Sequence, residues 1–333
     1  MRFACKAGST KMKQDSARTA GIDTAKGKLD VAIDGSPEFL TVSNDAAGWG
    51  TLSGWLGGHG VKRVGIEATG GYERGVVVHL RGAGFEVLVL QPLQVKAWAK
   101  LHRRRAKNDR IDARLIAAVT AALEPPEIAP DERLTALAER LTYVEQIELD
   151  VVRLKVRLEH LTDARLRRQV LGDLARIEKR KTAELKRLEA DLKGHDDLRA
   201  RFELVLSVPG IGPRTALAIV ILLPELGRVD REEAAALAGL APFDVDSGQH
   251  KGERHIAGGR ARLRRSLYAA AGPACRWWNP ALKAFFAGLV ARGKAYKAAV
   301  TACARKLVVY ANAVVARGTP WIDKAPSAAR SPA

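Results

Sequence analysis

The sequence predicts an α/β domain at the N-terminus, then a long helical segment, then a mostly α-helical domain. Three observations carry this reading. Strand-like and helix-like patterns alternate as far as residue 125. The proline cluster "EPPEIAPDE" closes that region, and from Asp131 to Lys193 there is no proline while apolar residues recur at helical spacing. Two apolar helices around a Pro-Gly-x-Gly turn then open the last region. A chain of 333 residues suits two or three domains. Hydrophobic residues make up 47% but aromatics only 5%, so the cores should be built of Ala, Leu and Val.

The elements follow in order. "TAGIDTAKGKLDVAID" reads as a strand, a tight turn and a second strand, and "EFLTVS" as a third. A helix spans Trp49 to Leu56, and "KRVGIEAT" is a short apolar strand. "GYERGVVVHLRGAG" is a helix closed by glycine, and "FEVLVLQP" a strand stopped by proline. "LQVKAWAKLH" and a helix opening near Asp109 complete the domain. Hairpin-like strands followed by β-α-β-α units imply a mixed sheet with helices on it.

In the second region Ile147, Val151, Leu154, Leu158 and Leu161, and later Leu185, Leu188 and Leu192, step by four and three as in a coiled-coil seam. The pattern weakens over Asp163–Gln169, which leaves one long helix and a helical hairpin both open. Beyond "FELVLSVPGIGPRTALAIVILLPEL" come a Gly- and charge-rich loop (Phe243–Gly259), an Arg-rich helix (Arg260–Ala271) and further helices to about Arg317. The expected organisation is a basic arm over 1–18, the α/β domain over 19–125, a coiled coil over 131–200, a C-terminal domain over 201–320 and a tail over 321–333.

The formal charge of +18 points to a polyanion, and nucleic acid is the commonest one. No apolar run near the length of a bilayer span and no signal-peptide pattern is read, so no membrane partner is expected, and the expected location is cytoplasmic and nucleoid-associated. Cys5, Cys275 and Cys303 have no metal-like spacing; Cys275 and Cys303 read as buried reduced thiols.

Four acids stand out by position. Asp23 lies in "GID" of the first strand, Glu67 ends "GIE" of another, and Asp109 and Asp112 share a helical face by their spacing. Strand ends and helix starts converge at one edge of an open sheet. Carboxylates gathered there repel unless cations neutralise them, and Mg²⁺ suits hard oxygen ligands and phosphate. Each acid alone has an ordinary structural explanation, as a turn former, a cap or a helix-dipole partner. Asp30, Asp34 and Glu73 rank lower because their neighbours read as turn or helix surface.

The ordered motifs "GIDTAKGKLDVAI", "VGIEATGGYE", "VLVLQPLQVKAWAK" and "KNDRIDARLIA" resemble the DEDD transposases of the insertion-sequence one-ten family, which include Piv and MooV type DNA invertases. "LVLSVPGIGPRTALAIV", "AGLAPFDVDSGQHKGERHIAGGRARLRRSLYAAA" and "NPALKAFFAGLVARGKAYKAAVTACARKLVVYANAVV" resemble that family's C-terminal domain. The resemblance spans residues 19 to 317. It implies an RNase H-like, RuvC-like first domain with catalytic, metal-binding acids at Asp23, Glu67, Asp109 and Asp112. It also implies a serine nucleophile at Ser247. The family usually has Thr where this chain has Asn108 and Ser where it has Ala68. A small polar residue and Gly-Gly flank the family's serine, where Asp246 and Gly248-Gln249 stand here.

Read from residues alone, Asp246-Ser247-Gly248 is an ordinary turn, and Ser207 and Ser266 are rival serines. "VPGIGPRTA" reads as a helix-hairpin-helix that can bring Arg214 and helix N–H groups to phosphate, or as a plain turn. Arg103, Arg104, Arg105 and Lys107 beside the acids, and Lys251, Arg254, Arg260, Arg262, Arg264 and Arg265 beside the serine, are candidates for the nucleic-acid backbone. Trp277 and Trp278 are read as core residues, with base stacking as the alternative.

The function expected is a DNA recombinase that cuts and rejoins element ends and target with Mg²⁺, or Mn²⁺. The resemblance implies two partners: a structured noncoding guide RNA, and further copies of the chain in a dimer or tetramer. The alternatives are a metal-dependent nuclease using water, such as a junction resolvase, and a non-enzymatic nucleic-acid binder.

Overall fold

The computed structural model describes residues 18–102, 109–124, 131–243, 246–247, 250–251 and 255–322, with backbone alone for Asp109, Phe243, Asp246, Ser247, His250 and Lys251. Arg103, Arg104, Arg105, Lys107, Asn108 and Arg254 lie outside the described residues, as do most of the expected arm and tail. The chain divides into two compact units, Met1–Glu127 and Ile128–Ala333.

The first unit is built on strands β1 (Arg18–Thr24), β2 (Lys28–Ile33), β3 (Phe39–Ser43), β4 (Val61–Glu67) and β5 (Glu86–Leu90). Helices α1 (Ala46–Gly58), α2 (Arg74–Gly82), α3 (Pro92–Leu101) and α4 (Asp109–Ala122) complete it. The sheet order is β3-β2-β1-β4-β5. β1 runs antiparallel to β2, and β2 to β3, while β4 is parallel to β1 and β5 to β4. This is the mixed sheet expected from hairpin strands followed by crossover units. β1 starts at Arg18, the last residue assigned to the arm.

Alternate side chains of a strand point to opposite faces. On one face Ile22, Val31, Val64 and Ile66 pack with Leu52 and Leu56 of α1 and Val76 and Leu80 of α2. On the other, Leu88 and Leu90 pack with Val95 of α3 and Leu115, Ile116 and Val119 of α4. The central strands present glycine to this second face. A Cβ built on Gly21 would lie 2.1 Å from the Ala117 nitrogen and 2.4 Å from the Ala113 carbonyl oxygen. One on Gly65, the register partner of Gly21, would lie 1.7 Å from the Thr120 hydroxyl oxygen. Helix α4 therefore rests on bare strand backbone.

The second unit opens with α5 (Glu132–His160) and α6 (Ala164–Lys193). They form a hairpin, with Lys155 paired to Glu178 at 2.9 Å and Arg140 paired to Asp191. Of the two arrangements left open for residues 131–200, the hairpin is the one adopted. Ile147, Val151, Leu188 and Leu192 of the seam are buried, whereas Leu154, Leu158 and Leu185 are half-buried. The base of the hairpin joins a core with α7 (Asp196–Leu206), α8 (Pro213–Leu222) and α9 (Arg231–Leu237). Helices α10 (Ala261–Pro273), α11 (Pro280–Ala291) and α12 (Tyr296–Arg317) complete that core.

Three expectations change. The described residues in and bordering the segment read as the loop Phe243–Gly259 form two-residue strands: β6 (Pro242–Phe243), β7 (Asp246–Ser247), β8 (His250–Lys251) and β9 (His255–Ile256). Each is too short to show an alternating pattern, and long-range pairing of β6 with β9 brackets β7 with β8. Helix α12 contains an apolar stretch long enough to cross a membrane, contrary to the reading of the sequence. It is instead a core helix: Val300, Cys303, Leu307, Val308 and Val314 are buried, and Lys297, Arg305 and Lys306 interrupt it. Trp277 and Trp278, read as core residues, are 69% and 66% exposed. Both lie at the end of the five-residue π-helical turn Ala274–Trp278, whose spacing departs from that of the α-helix before it. Cys275 and Cys303 are buried free thiols as expected.

Gly21→Ala and Gly65→Ala should each lower stability by about 1–3 kcal/mol in urea unfolding, because the added methyl meets helix atoms that cannot move aside. Gly27→Ala, where a Cβ meets nothing, should stay within about 0.5 kcal/mol. Equal effects at all three positions would refute the close seating of α4.

Candidate active site

The close seating of α4 positions the acids of the first unit. In the parallel ladder Ile22 is level with Ile66, so Asp23 and Glu67 follow side by side at the strand ends. Both lie two residues beyond Gly21 and Gly65 and hence on the α4 face. Asp112 immediately precedes Ala113, whose carbonyl rests over Gly21. Asp109 opens the helix one turn earlier. At the other end of α4, the Leu123 carbonyl accepts from the Arg63 guanidinium at 3.4 Å, so the helix runs away from the strand ends as it proceeds. Asp23, Glu67 and Asp112 are all half-buried. The structure thus brings three of the four acids to one edge and one face of the sheet, with the backbone of the fourth adjoining. Among the described residues no three carboxylate, imidazole or thiol side chains close on a single point, and the Asp109 side chain is not among them.

A further acid belongs to this edge. Asp30 is directly opposite Asp23 in the antiparallel ladder and points to the same face. It is only 4% exposed. Its carboxylate accepts from the Thr41 hydroxyl at 2.6 Å and pairs with Lys28 Nζ at 2.8 Å. By sequence it ranks below the four acids because its neighbours read as turn or helix surface. The signal that could have found it is the alternation of "KLDVAI", which places Asp30 on the same face as Lys28 and Ala32. Glu73 is a structural acid, accepting the N–H groups of Thr69 and Gly71 at 3.0 Å each.

Ser247 belongs to the second unit. β7 and β8 pair with Asp246 opposite Lys251 and Ser247 opposite His250, so the serine ends its strand just before a two-residue connection. The rival serines have other duties. The Ser207 hydroxyl donates to the Leu204 carbonyl at 2.6 Å and accepts the Trp321 N–H at 2.8 Å, which ties down the end of the chain after α12. Ser266 sits inside α10, 3.5 Å from the Arg214 guanidinium.

The arginines divide into two groups. Arg214 grips Glu148 at 2.9 and 3.0 Å and Arg262 grips Glu145 at 2.7 Å, fastening α8 and α10 to α5. Arg260 makes a two-pronged contact with Glu225 at 2.6 and 2.7 Å. Arg264 donates to the Gly239 and Gly258 carbonyls. These four guanidinium groups are committed to the protein. Arg265 is exposed and has no carboxylate partner among the described residues. It lines an open groove of about 440 Å³ with Tyr268, Lys297 and Ile256 of β9. Burial pushes the Glu225 carboxyl up, but Arg260 and a backbone N–H outweigh it and hold the group below its ordinary range.

The DEDD transposase profile of the IS110 type matches residues 20–165, and the profile described as transposase IS116/IS110/IS902 family matches residues 202–287. Together they cover most of the chain. It belongs to the IS110 family of transposases. Asp23, Glu67, Asp109 and Asp112 fall within the first match of this transposase and Ser247 within the second. The chain is similar to the pilin gene-inverting proteins of Moraxella lacunata and Moraxella bovis, each 26% identical over 318 residues, which is 90% of this chain and 96% of theirs. It also resembles the insertion element IS110 uncharacterized 43.6 kDa protein of Streptomyces coelicolor, 28% identical over 142 residues, covering 42% of this chain and 35% of that protein. The DEDD match implies an RNase H-like fold, with which the mixed five-stranded sheet agrees. The transposase is thus an enzyme that acts on DNA, and its family suggests dependence on a divalent metal.

Arg260→Met leaves the half-buried Glu225 carboxylate without its partner and should cost about 1–3 kcal/mol at pH 7. Because the folded-state pKa of Glu225 is depressed, its contribution is present above the ordinary carboxylate range and lost as pH falls through the folded value. Urea unfolding between pH 7 and 3 should therefore show a smaller acid loss in the variant than in the parent. A parallel pH profile would count against the clamp.

Proposed function

We propose that this transposase cuts and rejoins DNA with Ser247 as nucleophile, assisted by a divalent metal site of Asp23, Glu67, Asp109 and Asp112. The observation that carries the first half is the shared sheet edge: Asp23 and Glu67 side by side, and the start of α4 brought over them by Gly21 and Gly65. The donor set fits a hard cation, since all four groups are carboxylates and Asp30 adds a fifth negative group beside them. Mg²⁺, or Mn²⁺ in its place, would supply charge stabilisation at the phosphate.

The protein's own part is positional. The rigid strand pair holds Asp23 and Glu67 at fixed spacing. Lys28 and Thr41 hold the Asp30 carboxylate oriented against the same cluster. In the serine step, Ser247 Oγ forms a bond to phosphorus and the bond to one DNA oxygen breaks. The serine proton leaves to solvent or a neighbouring base, and the departing oxygen takes up a proton. The phosphoserine ester keeps the phosphodiester energy for rejoining when a DNA hydroxyl attacks in reverse.

Phosphate grip falls to Arg103, Arg104, Arg105, Lys107, Lys251, Arg254 and Arg265, while Arg214, Arg260, Arg262 and Arg264 serve the scaffold. The tip of the α5–α6 hairpin favours assembly of two or four copies, because Leu149, Val152 and Val156 form an exposed apolar row at helical spacing. Base pairing by a structured noncoding RNA would read sequence while the protein reads backbone. The similarity to gene-inverting proteins supports cutting and rejoining over simple cleavage.

The product decides the mechanism. Denatured reactions on an element-end substrate should contain DNA covalently attached to protein, and Ser247→Ala should abolish the adduct. Asp23→Asn or Asp112→Asn should lower adduct formation by at least about a hundredfold, in line with loss of a transition-state charge stabiliser. Free ends with no adduct would instead establish a water-using nuclease. Binding should weaken linearly on a log-log salt plot, by about 0.9 per phosphate contact, and the slope should survive Arg214→Met but shrink in Arg265→Met.

A further inference from the structure

The last helices of the second unit carry a feature that the strand-transfer reading does not use. From Arg260 to Ile322 the chain has twelve Lys and Arg residues and not one Asp or Glu. Arg276, Lys283, Arg292, Lys294, Lys297 and Arg305 have no carboxylate partner among the described residues. Within this cationic stretch two tryptophans stand about two-thirds exposed on the π-helical turn after α10. Exposing two indoles side by side is unfavourable in water unless something covers them.

The turn that displays them is rigid. Asn279 is buried and its amide donates to the Pro209 carbonyl at 3.0 Å, while its oxygen accepts the Leu282 N–H at 3.0 Å. Ala274 packs so closely on Gly210 that a Cβ there would lie 2.3 Å from the Ala274 Cβ. Gly210 also has φ +92°, a conformation that disfavours any side chain. The π-helical turn and the Pro209–Gly212 turn are thus locked together. Between them an open cavity of about 480 Å³ is lined by Pro209, Gly210, Ile211, Gly212 and Thr215 on one side and Trp278 on the other. Beside it the Arg276 guanidinium lies over the Trp277 ring at 5.7 Å and the Tyr296 ring at 5.3 Å, and donates to the Tyr296 hydroxyl.

We propose that Trp277, Trp278 and the cavity beside them form a stacking site for unpaired bases of single-stranded DNA. A base offers a flat π-face that stacks on indole whatever its identity, and its flanking phosphates meet cations that no carboxylate neutralises. A duplex hides those faces between neighbouring bases, so the site selects DNA opened at the point of cutting and rejoining. A protein surface is a poorer occupant, since it offers no regular run of negative charge. The inference rests on this transposase acting on DNA and not on the identity of its nucleophile.

The test is equilibrium binding to an oligodeoxythymidylate and to a duplex of equal length, read by tryptophan emission and by anisotropy of labelled DNA. Binding of the single strand should quench tryptophan emission, and Trp277→Ala/Trp278→Ala should remove the quenching. The double variant should bind the single strand at least tenfold more weakly, since stacking contributes about 1–3 kcal/mol per base. Duplex affinity should change less than about twofold. Trp278→Phe should retain most of the single-strand affinity. Both side chains are exposed, so the melting profile should stay unchanged and certify the fold. Equal losses on the two DNAs, or no loss, would overturn the site, as would an effect confined to an RNA of the same length or a change in sedimentation marking a contact between copies. Ser247→Ala should leave the quenching intact, which separates failure of this site from failure of the serine mechanism.

Discussion

The first unit depends on the contact between α4 and two glycines. Gly21 and Gly65 are level with each other on neighbouring parallel strands, and the backbone of α4 at the first and the Thr120 side chain of α4 at the second occupy the space their side chains would fill. That contact sets the height of the helix above the sheet. It also decides what the start of the helix meets, since Asp112 adjoins the residue over Gly21 and Asp23 lies two residues beyond that glycine. The carboxylate edge is a consequence of a packing solution. The cost of gathering like charges is borne by the apolar faces on either side of the sheet, where Ile22, Val64 and Ile66 on one side and Leu88, Leu90 and Ile116 on the other hold the layers together.

The second unit handles charge in another way. Three of its glutamates, two on α5 and one between α8 and α9, hold arginines in half-buried contacts. Glu145, Glu148 and Glu225 hold Arg262, Arg214 and Arg260 respectively, and these contacts tie α8 and α10 to their neighbours. From α10 to α12, where the chain carries no Asp or Glu, Arg265, Arg276, Lys283 and Arg292 have no carboxylate partner among the described residues. A basic composition is therefore divided between internal clamps and a surface available to a polyanion, and which arginine does which depends on where the glutamates lie.

Much of this was legible from the residues. Alternating apolar positions announced β1, β2, β4 and β5, and the caps and prolines announced the helices that follow them. The acids at Asp23 and Glu67 stood at strand ends by inspection, and Asp109 and Asp112 at a helix start. The family resemblance carried by those motifs matched the profiles that cover most of the chain. What inspection misjudged were residues whose role is set by partners distant in sequence. Asp30 looked like a turn acid until the ladder put it opposite Asp23. Arg214 and Arg262 looked like phosphate ligands although glutamates from α5, more than sixty residues away, already hold them.

The linear order of residues determined the local conformations, because hydrophobic period, capping and proline placement act within a few positions of the chain. It determined the kind of partner as well, because net charge is a sum that does not depend on folding. Tertiary structure decided which residues of each type share a place. Strand register selected Asp30, glycine contacts selected the acids that α4 meets, and a π-helical turn clamped by Asn279 sent two tryptophans outward. Register and close packing are pairwise relations between remote segments, and no window of sequence contains both members.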